Sequence, residues 1–348
     1  MDAARGFVML VLASEGFGIH LLAEVHAGQP LHGVLRQFDH LRWDGLIIWD
    51  MIMPSFQFIV GAALPFALTR RRQQNQPFAV MFRHVIWRCI KLVIIGQILW
   101  YGFEGPGKVF DPYATLTQIA LGYLICFLVL QLRRGWQVAV AAGLMALNWI
   151  PYVLFPGPQG PFSPTANIGL RIDQVVFHLD RAYDWQTINF LGSAVTMMFG
   201  AWTAEWLSST RPTAEKLKWL VGVAAAALVC GFAIRPIDPI IHKCWTASFT
   251  FVHTGLILLW ICSFVWLFEV RGYRKLAFPF MVMGMNSIFI YTVFLSVGEH
   301  FFEPYLNLFL HNFSFMGSLA PVGDAWADFA ILWYLCYWLY RRRIFFKL

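Results

Sequence analysis

Apolar runs of about twenty residues, parted by polar links, recur along this whole chain. A helix needs about 20 such residues to cross a bilayer, and an irregular backbone cannot face lipid. Ten spans are placed, at roughly 3–23, 45–68, 82–101, 114–132, 136–155, 187–207, 217–235, 246–268, 278–298 and 322–340. Composition points the same way. Hydrophobic residues make up 59% and charged residues 13%, where a soluble domain carries about 25% charged residues. The expected fold is all-α: a polytopic integral membrane helix bundle of about ten transmembrane helices. The 348 residues leave no room for a sizeable soluble domain as well, so 1–348 reads as one transmembrane domain. The stretch 301–315 is too short and polar for a span and reads as interfacial or re-entrant.

Basic residues orient such a bundle. Arg70–Arg72, Arg133–Arg134, Arg211/Lys216/Lys218, Arg271/Arg274/Lys275 and Arg341–Arg343/Lys347 fall in alternate links or at the end. That puts all five groups, and both termini, on the cytoplasmic side. Most acids fall on the other side. The expected location is an integral protein of the bacterial inner (cytoplasmic) membrane. The net charge of +7 then reports topology and anionic lipid. It does not indicate nucleic acid, because the basic residues form no stripe with aromatics. Glu15 interrupts what would be a signal-peptide core, so the first span is read as retained. The abrupt opening at "MDAARG" leaves room for a missing native tail. The six cysteines form no CxxC, so neither a disulfide nor a metal is expected. Cys244 is placed near the outer surface.

The second span carries groups that are costly in hydrocarbon. His40, Trp43, Ile47, Asp50, Pro54, Gln57 and Gly61 follow a three-and-four spacing, which puts them on one face of a helix. A polar stripe of this kind faces the bundle interior or a wet cavity. Pro54 has no N–H, so the carbonyl of Asp50 loses its helical partner and a kink is expected there. Taken singly, Asp50 and Gln57 are equally well read as ties between helices. Glu15 lies inside the first span among small residues. Asn286 and Ser287 lie inside the ninth, with helix–helix glue as the plain alternative. Gln97 and Gln118 are similar. Arg171 and Asp173 are expected to pair locally or to cap a helix. His253 is left open. The outer links 22–44 and 156–186 are long, and long links are often functional.

No P-loop, dinucleotide-binding, nucleophile-elbow or HExxH pattern is present. Haem between His84 and His253 is set aside.

Taken together, "DAARGFVMLVL" (2–12) and "HLRWDGLIIWDMIMPSFQFIVGAALPFAL" (40–68) resemble the pattern of heparan-α-glucosaminide N-acetyltransferase and its bacterial relatives. Asp2, Arg5, Gly6, His40, Trp43, Gly45, Asp50, Pro54, Phe56, Phe58 and Gly61 carry the resemblance. "LTQIALGYL", "RIDQVVF", "SAVTMMFGAWTAEWL", "KCWTASF" and "GMNSIFIY" extend it in order through nearly the whole chain. The sequence departs from it at Ser14-Glu15-Gly16, where the animal enzymes have an asparagine, and at Leu116-Thr117-Gln118-Ile119.

The resemblance implies a transmembrane acyltransferase. Acetyl-CoA would be used from the cytoplasmic side, and the acyl group delivered to an amino sugar or other sugar acceptor on the far side. It makes His40 catalytic, as base or transient acyl carrier. Asp50 and Asp44 are placed beside it in the catalytic set, with Asp39 or Asp44 orienting its ring. Trp43, Glu15 and Asp39 are expected to touch the acceptor. Gln57, Asn286, Ser287, Arg70 and Arg271 are expected to meet acetyl-CoA. The expected partners are acetyl-CoA, a sugar acceptor and membrane lipid, with a homodimer as an open option. The alternative is a polar-solute or proton-coupled transporter built on Glu15 and Asp50.

Overall fold

The computed structural model describes residues 2–14, 18–19, 22, 32–104, 110–112, 114–293 and 313–346. Glu15 and most of the 301–315 segment lie outside the described residues. Among those described the protein is all-α, with two isolated bridges and no strand. Four helices are long and apolar enough to cross a membrane: Trp49–Gln73, Arg134–Leu154, Thr213–Ile234 and Ala247–Val270. A bent pair, Arg274–Met285 with Ser287–Val293, makes a fifth if it is one span. Among the described residues no other helix passes on length and composition, so the expected count of ten is not reached there.

The described residues form two compact units, interleaved in sequence. The first takes Met1–Leu41, Ile47–Ile52 and Leu267–Leu348. The second takes Arg42–Leu46 and Met53–Trp266.

In the first unit, α1 (Asp2–Ala13) packs on α10 (Phe278–Met285). Two glycines make this possible. A Cβ on Gly6 would overlap the carbonyl of Phe280, and one on Gly284 would overlap the carbonyl of Asp2. Arg5 pins the crossing: its Nε donates to the carbonyl of Gly284 at 2.7 Å, and Nη2 pairs with Asp2 at 2.9 Å. The "DAARG" block is thus a docking device for α1. The chain then bends by 65° between α10 and α11 (Ser287–Val293). Asn286 sits at the bend, fully buried. Its Nδ2 donates to the carbonyl of Ile344 at 3.1 Å, and its Oδ1 accepts from the N–H of Phe346 at 3.1 Å. Both residues follow α12 (Ala320–Arg341).

The second unit holds α2 (Ile52–Gln73, of which Ile52 belongs to the first unit), α3 (Phe78–Glu104), α4 (Thr115–Val129), α5 (Arg134–Leu154), α6 (Ile168–Phe177), α7 (Phe190–Leu207), α8 (Thr213–Ile234) and α9 (Ala247–Val265). Glycines again set the closest approach. A Cβ on Gly61 of α2 would overlap the backbone of Met197 of α7, and one on Gly200 of α7 would overlap the carbonyl of Phe58 of α2. Small residues let helix backbones meet, which is the main source of packing gain between helices in lipid. Gln97 and Gln118 act as ties. Gln97 donates to the carbonyl of Asp111 at 2.7 Å and accepts its N–H at 2.8 Å, and Gln118 donates to the carbonyl of Pro112 at 3.2 Å.

The second span departs from its expected form. Residues 39–48 are not helical. Helical structure starts with a 3₁₀ turn at Trp49–Met51 and continues as α2. Gly45 is the reason: its φ is 127°, open to glycine and not to L side chains. Its N–H bonds to the carbonyl of Ile240 at 2.8 Å, and Asp44 bridges to Ile241. Pro54 falls in the first turn of α2, where its missing N–H leaves no helical bond unmade. It therefore starts the helix and does not kink it at Asp50. The proline inside α2 is Pro65. The seven-residue stripe shrinks to Asp50, Pro54, Gln57 and Gly61, and His40, Trp43 and Ile47 precede the helix.

Candidate active site

In the first unit, His40 lies in an extended stretch just after a short helical segment that ends at Phe38. The carboxylate of Asp39 accepts the backbone N–H of His40 at 2.6 Å, a bond to the main chain and not to the ring. The ring meets the 3₁₀ turn. Its Nδ1 lies 3.3 Å from Oδ1 of Asp50, and its Nε2 accepts the indole N–H of Trp49 at 3.0 Å. The two rings meet edge to face, with centroids 6.1 Å apart. The Asp50 side chain is fully buried, whereas that of His40 is 64% exposed. A buried carboxylate thus backs an imidazole that faces outward.

Donor chemistry assigns the tautomer. An indole N–H only donates, so Nε2 is the acceptor in this arrangement. Nδ1 then carries the hydrogen and donates it to Asp50. A carboxylate bonded to Nδ1–H orients the ring and stabilises the imidazolium that forms when Nε2 takes a proton. The arrangement suits general-base or nucleophilic work at Nε2. Asp50, and not Asp39 or Asp44, holds the ring.

Asp44, expected in the catalytic set, is engaged elsewhere. It lies in the second unit, half-exposed, and pairs with Arg235 at 3.1 Å. Trp43 is likewise a packing anchor. Its N–H donates to the carbonyl of Phe162 at 2.9 Å, and it packs on the buried cluster of Tyr152, Ile241 and Cys244. Arg42 stacks over Tyr183 beside it, 4.4 Å from the ring centre. The long 156–186 link is therefore held by Arg42 and Trp43.

The residues expected to meet acetyl-CoA fall in both units. Gln57 is fully buried in α2, and neither amide atom meets a hydrogen-bond partner among the described residues. Asn286 has both amide ends tied to backbone, which is the glue reading. Ser287 opens α11. Arg70 is exposed near the end of α2, and Arg271 is exposed in the other unit.

The block "KCWTASF" turns out to cap α9. Asp238 accepts the N–H groups of Ala247 and Ser248 at 2.7 and 3.2 Å. Burial outweighs these bonds and pushes its carboxyl up to about 6. Thr246 accepts from the N–H of Phe249 at 3.4 Å. Trp245, fully buried, adopts φ 50°, a left-handed backbone rare for a bulky residue. Asn148 holds it there, donating to the carbonyls of Cys244 and Trp245 at 3.1 and 3.0 Å. The Trp245 indole donates to Thr196 at 3.1 Å, and Thr196 lies 3.0 Å from Nε2 of His253. Cys244 is fully buried, and burial pushes its thiol up to about 12. All six cysteines are free thiols. Asp173 caps the turn before α7 by accepting the N–H of Thr187 at 3.0 Å, and burial raises its carboxyl above the ordinary value.

Sequence reading missed Trp49, which has no spacing signal of its own. It also missed His242, buried edge-on to Trp185 with centroids 5.0 Å apart. The first-turn position of Pro54 was the available signal for where the helix starts.

No family model matches the chain. Two curated proteins do. Heparan-alpha-glucosaminide N-acetyltransferase of Homo sapiens is 22% identical over 100% of this chain and 59% of its own length. The protein of the same name from Mus musculus is 21% identical over 100% of this chain and 60% of its own. The chain is a distant relative of these acetyltransferases. It spans about three fifths of the length of the relatives it matches. The long apolar helices and this relationship make it a membrane protein of acyltransferase kinship.

Proposed function

We propose that the chain is a membrane-embedded acyltransferase that moves an acetyl group from acetyl-CoA to an amino sugar or another sugar acceptor. The observation that carries the reading is the His40–Asp50 pair, a base and its orienting carboxylate 3.3 Å apart in the segment of strongest family resemblance. In this scheme Nε2 of His40 takes the acceptor N–H or O–H proton as the acceptor attacks the thioester carbonyl. The C–S bond then breaks and CoA leaves as the thiol, taking up the proton. Asp50 stabilises the imidazolium between the two steps. A transient acyl group on Nε2 is the two-step variant. The amide of Gln57, buried in α2 and without a hydrogen-bond partner among the described residues, is a further polar group in keeping with a polar ligand. The basic clusters at the helix ends support entry of CoA from the cytoplasmic side, with the acceptor on the other side.

The test uses the full chain in sealed vesicles with labelled acetyl-CoA inside and glucosamine outside. Labelled N-acetylglucosamine should appear outside, and His40→Ala should lose it. Full transfer by the His40→Ala protein would sink the reading. Uptake of unmodified sugar without acetylation would favour the transporter.

A further inference from the structure

The turn Trp49–Met51 occupies both nitrogens of His40 at once. The Nδ1 hydrogen points to Asp50. The Nε2 lone pair, the one a base needs, accepts from the indole of Trp49 at 3.0 Å. His40 is well exposed, yet neither nitrogen offers a free lone pair. Exposure alone therefore does not make this imidazole reactive.

We propose that Trp49 is a positioning residue that caps the base: its indole N–H holds Nε2 of His40 in the resting protein, and an acceptor must displace it before losing its own proton. The identity of the displacing group rests on the acyl-transfer reading; the cap itself does not. Two features of the site support a movable indole. Trp49 stands in the 3₁₀ turn ahead of α2, outside the regular helix, and its ring is only partly buried. Its edge-to-face contact with His40 leaves the indole N–H as the one polar tie between the rings. The cap also has a chemical role. A donor-only partner on Nε2 enforces the Nδ1–H tautomer, so the lone pair that emerges when the indole leaves is already on the outward nitrogen. The group that replaces it must present an N–H or O–H about 3 Å from Nε2. An amine or hydroxyl of a sugar meets that requirement, and a thioester does not.

The cap is read directly by the rate at which diethyl pyrocarbonate modifies His40. The imidazole lone pair attacks a reagent carbonyl, and ethyl carbonate leaves. The full-length protein is labelled at one fixed pH without acetyl-CoA or sugar, and the His40 peptide is followed by mass spectrometry. Three proteins are compared: the wild type, Trp49→Phe, and a protein with 3-benzothienylalanine at position 49. The last keeps the bicyclic shape but has sulfur in place of the N–H. Both replacements should raise the His40 rate about fivefold, the factor for one hydrogen bond of ~1 kcal/mol. His253, fully buried in α9, should stay unlabelled and so reports a retained fold. Unchanged His40 rates in both replacements overturn the cap. A rise in Trp49→Phe alone also overturns it, because bulk and not the N–H would then be the shield. Labelling needs no turnover. A wild type that transfers no acetyl group defeats the acyl-transfer reading and leaves this measurement standing; transfer with unchanged labelling defeats the cap alone.

Discussion

Asp50 sets a buried carboxylate oxygen 3.3 Å from Nδ1 of His40, across a stretch of chain that forms no helix. Nine intervening residues curl back so that the two side chains meet. Gly45 makes the reversal possible, because only glycine takes its φ of 127° at low cost.

The first prediction concerns that pair. Asp50→Asn keeps the shape of the turn but removes the charge that supports the imidazolium. Acetyl transfer should fall by about 10²–10⁴-fold. CoA binding, followed by calorimetry on the same preparation, should change little. An Asp50→Asn protein that transfers at the wild-type rate would show that Asp50 only ties the fold.

Asp44 should behave in the opposite way. It is half-exposed and salt-bridged to Arg235 at 3.1 Å. Exposed pairs of this kind contribute about 0–1 kcal/mol. Asp44→Asn should therefore leave the transfer rate within about twofold and barely move the unfolding midpoint. A loss of transfer on the scale of the Asp50 change would return Asp44 to the catalytic set.

The crossing of α2 with α7 should be intolerant of a single methyl group. Gly61→Ala and Gly200→Ala each drive a Cβ into the opposing backbone. Overpacking typically destabilises by about 1–3 kcal/mol, and opposing backbone gives way less easily than a side chain. Thermal unfolding in detergent should show lower midpoints for both. Gly222→Ala, whose Cβ would meet nothing within 4 Å, is the matched control.

Asp238 should give stability a pH dependence of unusual sign. Burial raises its folded carboxyl from 3.8 to about 6, while the unfolded chain keeps the ordinary value. Between these values the folded protein holds a proton that the unfolded chain releases. Stability should therefore fall as pH rises from about 4 to about 6 and then level off. The size of that fall for this one group is at most about 3 kcal/mol, taking the shift from 3.8 to about 6. Asp238→Asn, still able to cap α9, should flatten the curve. An unaltered slope in an unfolding series from pH 4 to 7 would remove Asp238 as its source.

Much of the architecture was legible because lipid imposes a length and a polarity on every span. The helices of α2, α5, α8 and α9 could be read from their apolar runs alone. Their starts were harder. The three-and-four spacing carried the second span back over His40 and Trp43, although a proline four residues after Asp50 is a helix-start signal. The site was half legible. His40 and Asp50 were both visible as chemistry, but their partnership depends on a reversal at Gly45 that periodicity cannot express. Asp44 misled because a carboxylate near a histidine in sequence need not face it. Trp49 was invisible because its role rests on which hydrogen its ring carries, and apolar pattern says nothing about that. The glycines of the motifs were legible only as small residues; the structure gives Gly6, Gly61, Gly200 and Gly284 an opposing carbonyl.

The docking of α1 onto α10 sets a schedule for biogenesis. Arg5 and Gly6 are synthesised well before their contacts, the carbonyls of Gly284 and Phe280, which follow almost 280 positions later. At 5–20 residues per second, α1 waits roughly fifteen to sixty seconds for its partner. Through that interval the Arg5 guanidinium must be shielded by lipid headgroups, the insertion machinery or Asp2. The DAARG motif thus has to be tolerable alone as well as in place, and α1 is locked only after most of the sequence that follows it has been made.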